Sequence, residues 1–163
     1  MKTAIRTFVY LALIVWMGAE VFFPVVAAVT FHTLKPDTHT AGRIVGQLLR
    51  ILHGMGLVSG LVLLLTLALA LVMRIYKPRL IRVAIGCLLL MIAGTVYSQF
   101  SIIPAMERDR ISAGGAIDAA NPSDPSRIDF ERLHKRSVHV EGVILLLGLA
   151  TVVLIAKAET DRT

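Results

Sequence analysis

The chain has 163 residues, 56% of them hydrophobic and only 17% charged, with a mean hydropathy of +0.75. Soluble domains are close to one quarter charged, so this composition excludes an ordinary soluble fold and requires a second solvent. A net charge of +6 raises nucleic acid as a partner, but the basic residues stand at the ends of apolar runs, which argues for a membrane and against nucleic acid.

Four apolar runs cover residues 8–31, 51–73, 83–103 and 138–156. At ~1.5 Å per residue each spans a hydrocarbon core of roughly 30 Å. No water reaches backbone groups there, so the runs must be helices. The expected fold is all-α, a four-transmembrane-helix integral membrane bundle, with residues 1–163 forming one domain.

In chain order, helix one is expected over about 5–31, after Lys2 and Arg6. Its apolar run continues past the roughly 7–15 residues of a signal-peptide core, and no A-x-A pattern closes it, so it is read as a retained helix. "HTLKPDTHT" is a turn-rich connection. Helix two is expected over about 41–76, with Thr40 as the N-cap candidate and Pro78 as the stop signal. Helix three is expected over about 80–104, ended by Pro104. The long loop 105–124, "AMERDRISAGGAIDAANPSD", carries Gly-Gly, Asn-Pro and Asp-Pro turn signals. Asp124 and Pro125 read as N-cap and first position of helix four, about 125–157. That helix would project roughly three to four turns from the bilayer before entering it near Val138. The single Cys87 lies within helix three, where it reads as a buried apolar thiol.

Lys2, Arg6, Arg74, Lys77, Arg79, Arg82, Lys157 and Arg162 fall on one side of such a bundle, against Glu159 and Asp161 alone. The other side holds Lys35, Arg43 and a mixed loop near neutrality. The densest short basic connection, 74–82, therefore points to the cytoplasm, with both termini on that side of a bacterial inner membrane. "RILHGMGLVSG" and "ERLHKRSVHVEG" share a Leu-His pair followed by a later glycine, and Pro24 and Pro104 occupy comparable places on the odd-numbered helices. This pattern suggests two similar hairpins related by an axis along the membrane normal.

Intramembrane ionisable groups are costly and mark function by default. Counted from the inner basic boundary, Glu20 lies ~21 Å deep, Tyr97 ~22 Å, Glu141 ~24 Å and Gln99 ~25 Å. His53 at ~31 Å and His134 at ~34 Å approach the outer interface, with Arg50 one turn beyond His53. Gly46, Arg50, His53, Gly56 and Gly60 recur at helical spacing, as do His134, Ser137, Glu141 and Gly148. Small residues permit close helix approach, which turns the polar members of each stripe toward protein. His139 falls on nearly the opposite face from Glu141. On helix three, Gly86, Ala93, Gly94 and Tyr97 form the stripe that favours Tyr97 over Gln99 as the inward group. The pocket candidates are thus Glu20, Arg50, His53, Tyr97 and Glu141.

Pro24 has no N–H, so the Glu20 carbonyl loses its usual donor at the depth of its own carboxylate. Glu20 is either a proton or cation site, or the acceptor half of a structural pair with Arg50, His53 or Tyr97. His53 and His134 occupy comparable places on helices two and four. Opposed imidazoles can hold haem iron or a transition metal, which makes these two the metal candidates. The bland reading of His32, His39 and His134 is that histidine is ordinary at an interface. No CxxCH, HExxH, Met-rich copper pattern, P-loop, nucleotide fingerprint or nucleophile triad occurs, so no catalytic residue is expected.

Three functions follow from these residues. The first is a non-enzymatic membrane protein that binds or passes a small cation, proton or metal ion through an outward-facing polar pocket. The second is a redox protein holding b-type haem or quinone between helices two and four. The third is a structural subunit whose polar residues only pack helices. The expected partners are the lipid bilayer and a small cation or metal.

"LIVWMGAEVFFPVVAAVTF", "AGRIVGQLL", "IIPAMERDR" and "FERLHKRS" resemble the transmembrane protein 205-like family, catalogued as domain of unknown function 4149. The resemblance covers most of the chain and implies a small four-helix membrane protein without an assigned activity. Its matching positions here would be the Gly-Ala-Glu-x-Phe-Phe segment, Arg108 or Arg110, and Phe130-x-x-Leu133-His134-x-x-Ser137. "HVEG" departs from the more neutral segment the resemblance implies, which weakens any family-wide role for Glu141.

Overall fold

The computed structural model describes residues 1–160; Asp161 and Arg162, counted above among the terminal charges, lie outside the described residues. Its elements are α1 (Lys2–Thr33), α2 (Thr38–Val72), α3 (Pro78–Tyr97), a π-helical turn (Ser98–Ile102), α4 (Ile103–Ser112), a 3-10 turn (Ile117–Ala119) and α5 (Pro125–Thr160). Among the described residues there is no strand. Four stretches are long and apolar enough to cross a membrane: Lys2–Thr33, Thr38–Val72, Pro78–Ser112 and Pro125–Thr160. The outer surface is correspondingly apolar, with Phe8, Ile14, Phe22, Leu65, Leu90 and Leu146 all exposed, as expected when lipid is the solvent. The chain is an all-helical bundle compatible with an integral membrane protein.

Three expected boundaries move. Helix two starts earlier, because Asp37 and not Thr40 is its N-cap: the Asp37 carboxylate accepts from the Thr40 backbone N–H at 2.9 Å. Hydrogen bonding from Thr40 also holds that carboxyl below its usual range. The same helix stops at Val72, short of Tyr76. Arg74 takes a left-handed conformation, φ 50°, and turns the fully buried Ile75 and the nearly buried Tyr76 back under the bundle.

Pro104 does not end helix three. The backbone first widens into the π turn, where the Ile103 N–H reaches the Ser98 carbonyl. Pro104 then stands in the first turn of α4, where a missing N–H costs little. Helical structure continues to Ser112, which shortens the long connection to 113–124. At its end Asp124 accepts from the Ser126 N–H at 2.8 Å and α5 begins at Pro125, as the Asp-Pro step predicts.

α1 packs chiefly on α2, and α3 chiefly on α5, so the bundle is a pair of hairpins. The buried residues of α3 and its π turn are Ile81, Ala84, Leu88, Met91, Thr95, Ser98 and Ile102. On α5 they are Ser137, Ile144, Gly148, Thr151, Ile155 and Ala158. Alternating steps of three and four are the seam of helices crossing at a shallow angle.

One end of the bundle is clasped by polar contacts. Arg6 pairs with Glu159 at 3.0 Å and lies over the Tyr76 ring, 5.6 Å from its centroid. Tyr10 donates its hydroxyl to Glu159. The Lys77 N–H donates to the Ala158 carbonyl at 3.3 Å, so the start of α1, the 73–77 connection and the end of α5 meet here. Burial raises the Tyr76 phenol above its ordinary pKa of 10.0; Glu159 adds to this and Arg6 opposes it. At the other end Thr38 donates to Asp118 at 2.5 Å, and Arg127 donates to the Ala120 carbonyl at 2.7 Å.

Candidate intramembrane polar site

His53 is the centre of the polar cluster. It lies on the α2 stripe with Gly56 and Gly60, and its side chain has no solvent exposure. Nδ1 lies 3.0 Å from Gln99 Oε1, and Nε2 lies 2.9 Å from Glu141 Oε1. Ser98 donates its hydroxyl to the same Glu141 oxygen at 2.9 Å. The second Glu141 oxygen, Oε2, is buried without a hydrogen-bond partner. Three elements thus meet in one network: α2 through His53, the π turn through Ser98 and Gln99, and α5 through Glu141.

Glu20 joins from α1. It is buried, as its depth predicts, and it lies within Coulombic reach of Glu141 and His53. Its hydrogen-bond partner, however, is on its own helix. The Trp16 indole N–H donates to Glu20 Oε1 at 3.2 Å, in place of a group on helix two or four. Four residues is one helical turn, so the indole stands directly beneath the carboxylate.

Trp16 fits there because α2 presents glycine. A Cβ at Gly56 would stand 2.8 Å from the indole Nε1, and one at Gly60 would stand 2.6 Å from Cζ3. Real Cβ atoms do not approach this closely, so the two glycines form the slot that holds the ring. Toward the clasped end, Leu63, Leu67, Leu88 and Ile155 fill the interior with no exposure. The polar cluster therefore has a dry apolar floor, with Trp16 as its upper plate.

Two of the expected pocket residues lie elsewhere. Tyr97 is 41% exposed and accepts a hydrogen bond from Arg136 at 3.2 Å. The α3 seam passes through Thr95 and Ser98, which turns Tyr97 outward, and the π turn carries Gln99 to His53 in its place. Arg50 is exposed on α2, one residue off the seam that Leu52, His53 and Gly56 continue. Gln99, which the stripe on helix three disfavours against Tyr97, is the residue that reaches His53, and the missed residues are Ser98 and Trp16. The three-four spacing of apolar positions from Ile81 to Thr95, extended one step, reaches Ser98.

The residues do not fit a bis-histidine haem or a His/Glu metal site. Both His53 ring nitrogens already face protein partners, whereas His134 is exposed and stacks on Phe130 with ring centroids 6.5 Å apart. The two imidazoles are not opposed. Among the described residues no group of three or more His, Cys, Asp or Glu is arranged to hold a metal ion.

What the cluster can do is hold a proton. With Gln99 Oε1 accepting from Nδ1–H, the contact between His53 Nε2 and Glu141 Oε1 holds one further proton. It sits on the imidazole, facing a carboxylate, or on the carboxyl, facing a neutral imidazole. Both arrangements keep the same heavy-atom geometry.

The family model for a domain of unknown function, DUF4149, matches residues 11–110, more than half of the chain. The chain belongs to the DUF4149 family. No curated protein and no solved structure matches it. The matched segment contains Trp16, Glu20, His53, Ser98 and Gln99 and excludes Glu141 and His134. These five residues are therefore DUF4149 positions, and Glu141 comes from the part of α5 beyond the match.

Proposed function

We propose that this DUF4149 protein binds a proton, or a small cation in its place, in the intramembrane cluster of Glu20, His53, Gln99 and Glu141. The observation that carries the reading is the buried, unpartnered Glu141 Oε2 beside a fully buried histidine whose two nitrogens are both engaged. A carboxyl oxygen in this setting is satisfied by carrying a proton or facing a cation, and intramembrane carboxylates mark such sites. The dry floor beneath Trp16 supports loading from the 113–124 end, and passage across would require the indole to leave its glycine slot. We read the 113–124 end as extracytoplasmic, since the basic 74–82 connection lies at the other. We also read residues 1–163 as one domain and the chain as transmembrane protein 205-like, on the segments 18–23 and 130–137.

Infrared difference spectra of the reconstituted protein across a pH step test the proposal. A carboxylic-acid C=O band that changes with pH in the wild type, and is lost or shifted in Glu141→Gln and His53→Phe, is the expected result. If no carboxyl band responds to pH or to added monovalent cations, the cluster is a helix-packing network only.

A further inference from the structure

A second feature of the molecule lies outside the polar cluster. Between α3 and α5 a cleft of about 270 Å³ has Leu90, Gly94, Val143 and Ile144 among its apolar lining and Arg136, Tyr97 and His139 as its polar members, the His139 Nδ1 being engaged by the Lys135 carbonyl at 2.7 Å. Its floor and walls are apolar, and its rim residues Leu90 and Val143 are 61% and 56% exposed, so it opens sideways. At Gly94 a Cβ would stand 3.2 Å from Ile144 Cγ1 and 3.7 Å from Val140 Cγ1, so glycine lets α3 and α5 approach closely at the cleft. At one end stand the exposed Arg136 and Tyr97, joined by the guanidinium-to-hydroxyl hydrogen bond.

The placement of that end identifies the occupant. Arg136 lies ~31 Å along α5 from Lys157, at headgroup level, and the cleft runs from it about 10 Å into the hydrocarbon. The bonded partner of Arg136 is the Tyr97 hydroxyl, and no carboxylate pairs with this guanidinium among the described residues. The nearby acids are already engaged: Asp129 with Arg132 at 2.9 Å and Glu131 with Arg127 at 3.2 Å. A guanidinium with free N–H donors at the mouth of an apolar slot matches a phosphate followed by an acyl chain. The volume falls below the roughly 300–1,000 Å³ of pockets that enclose compact ligands, and suits one chain lying along the helices.

We propose that the α3–α5 cleft binds one anionic phospholipid of the leaflet at the 113–124 end, with its phosphate on Arg136 and an acyl chain over Gly94. Tyr97 holds the guanidinium in position, so its outward orientation acquires a purpose that the polar cluster does not supply.

Native mass spectrometry of protein extracted from nanodiscs containing equal phosphatidylglycerol and phosphatidylcholine tests this. The wild type should retain one phosphatidylglycerol in preference to phosphatidylcholine, by about fivefold for a single basic residue at an anionic surface. Arg136→Gln should abolish the preference while leaving the protein folded. Val143→Trp, which fills the cleft without touching the charge, should reduce retention of the lipid itself. Soluble glycerophosphate should not compete; competition would mean a free-phosphate site and would overturn the lipid assignment. Equal lipid ratios in wild type and Arg136→Gln, or retention unaffected by Val143→Trp, would show annular lipid only and end the proposal.

Discussion

Substituting Gly60 by alanine tests the slot that holds Trp16. The added methyl would stand 2.6 Å from Trp16 Cζ3 and 3.1 Å from Ile92 Cγ1. The indole is 1% exposed, rigid, and packed from beneath by apolar side chains, so it has no free direction in which to retreat. Overpacking of this kind costs about 1–3 kcal/mol. Alanine also relieves the helix penalty of glycine, about 1 kcal/mol in water, and that gain must be removed from the comparison. Gly54→Ala on the same helix removes it, because a Cβ there meets nothing within 4 Å. The difference in unfolding free energy between the two variants should therefore be about 1–3 kcal/mol, with Gly60→Ala the less stable. Steric trapping or denaturant unfolding in detergent measures it. Adding Trp16→Leu to Gly60→Ala should recover part of the loss, since the smaller side chain vacates the slot. Equal stability of Gly60→Ala and Gly54→Ala would refute the close-packed slot, and with it the dry floor of the polar cluster.

The polar network should show pairwise coupling. A double-mutant cycle of His53→Phe and Glu141→Leu is expected to give about 1 kcal/mol, the scale of hydrogen bonds between membrane helices, and zero coupling would dissolve the proposed pair. At the clasped end, Tyr76→Phe removes a buried hydroxyl that has no partner, so stability at neutral pH should hold or rise by about 1 kcal/mol. Because the folded state raises the Tyr76 pKa, its contribution is intact below pH 10.0 and is lost as the pH climbs above that value. Alkaline unfolding should be milder in Tyr76→Phe than in wild type, and identical alkaline profiles would contradict the burial argument. For orientation, with Cys87 replaced by serine, an impermeant thiol reagent added outside should modify a cysteine at Ser123 and spare one at Lys77. The opposite pattern reverses the bundle in the membrane.

Composition and run length alone determined that this chain forms four helices long and apolar enough to cross a membrane, because an unbroken apolar run of some twenty residues satisfies its own backbone groups in hydrocarbon as a helix. The burial of Glu20 and His53 was also legible, one from the cost of a charge in lipid, the other from its place on a glycine stripe. The start of α5 at Pro125 followed from local Asp-Pro chemistry. The partners were not legible. Which group reaches His53 depends on a π turn that rotates everything after Tyr97, and such a turn leaves no periodic mark on residues chosen for lipid on every face. The small-residue stripe of Gly86, Ala93, Gly94 and Tyr97 did not mark the inward face: Gly86, Ala93 and Tyr97 are exposed, and of the two glycines only Gly94 lies against α5. Glu20 found Trp16 because two glycines on another helix made room for the ring, a fact that belongs to the packing of α1 on α2. Helix number can be counted along the chain, but a depth count sets His53 ~7 Å beyond Glu141, and the two side chains meet at 2.9 Å; relative height and rotation about each axis are settled only when the helices meet.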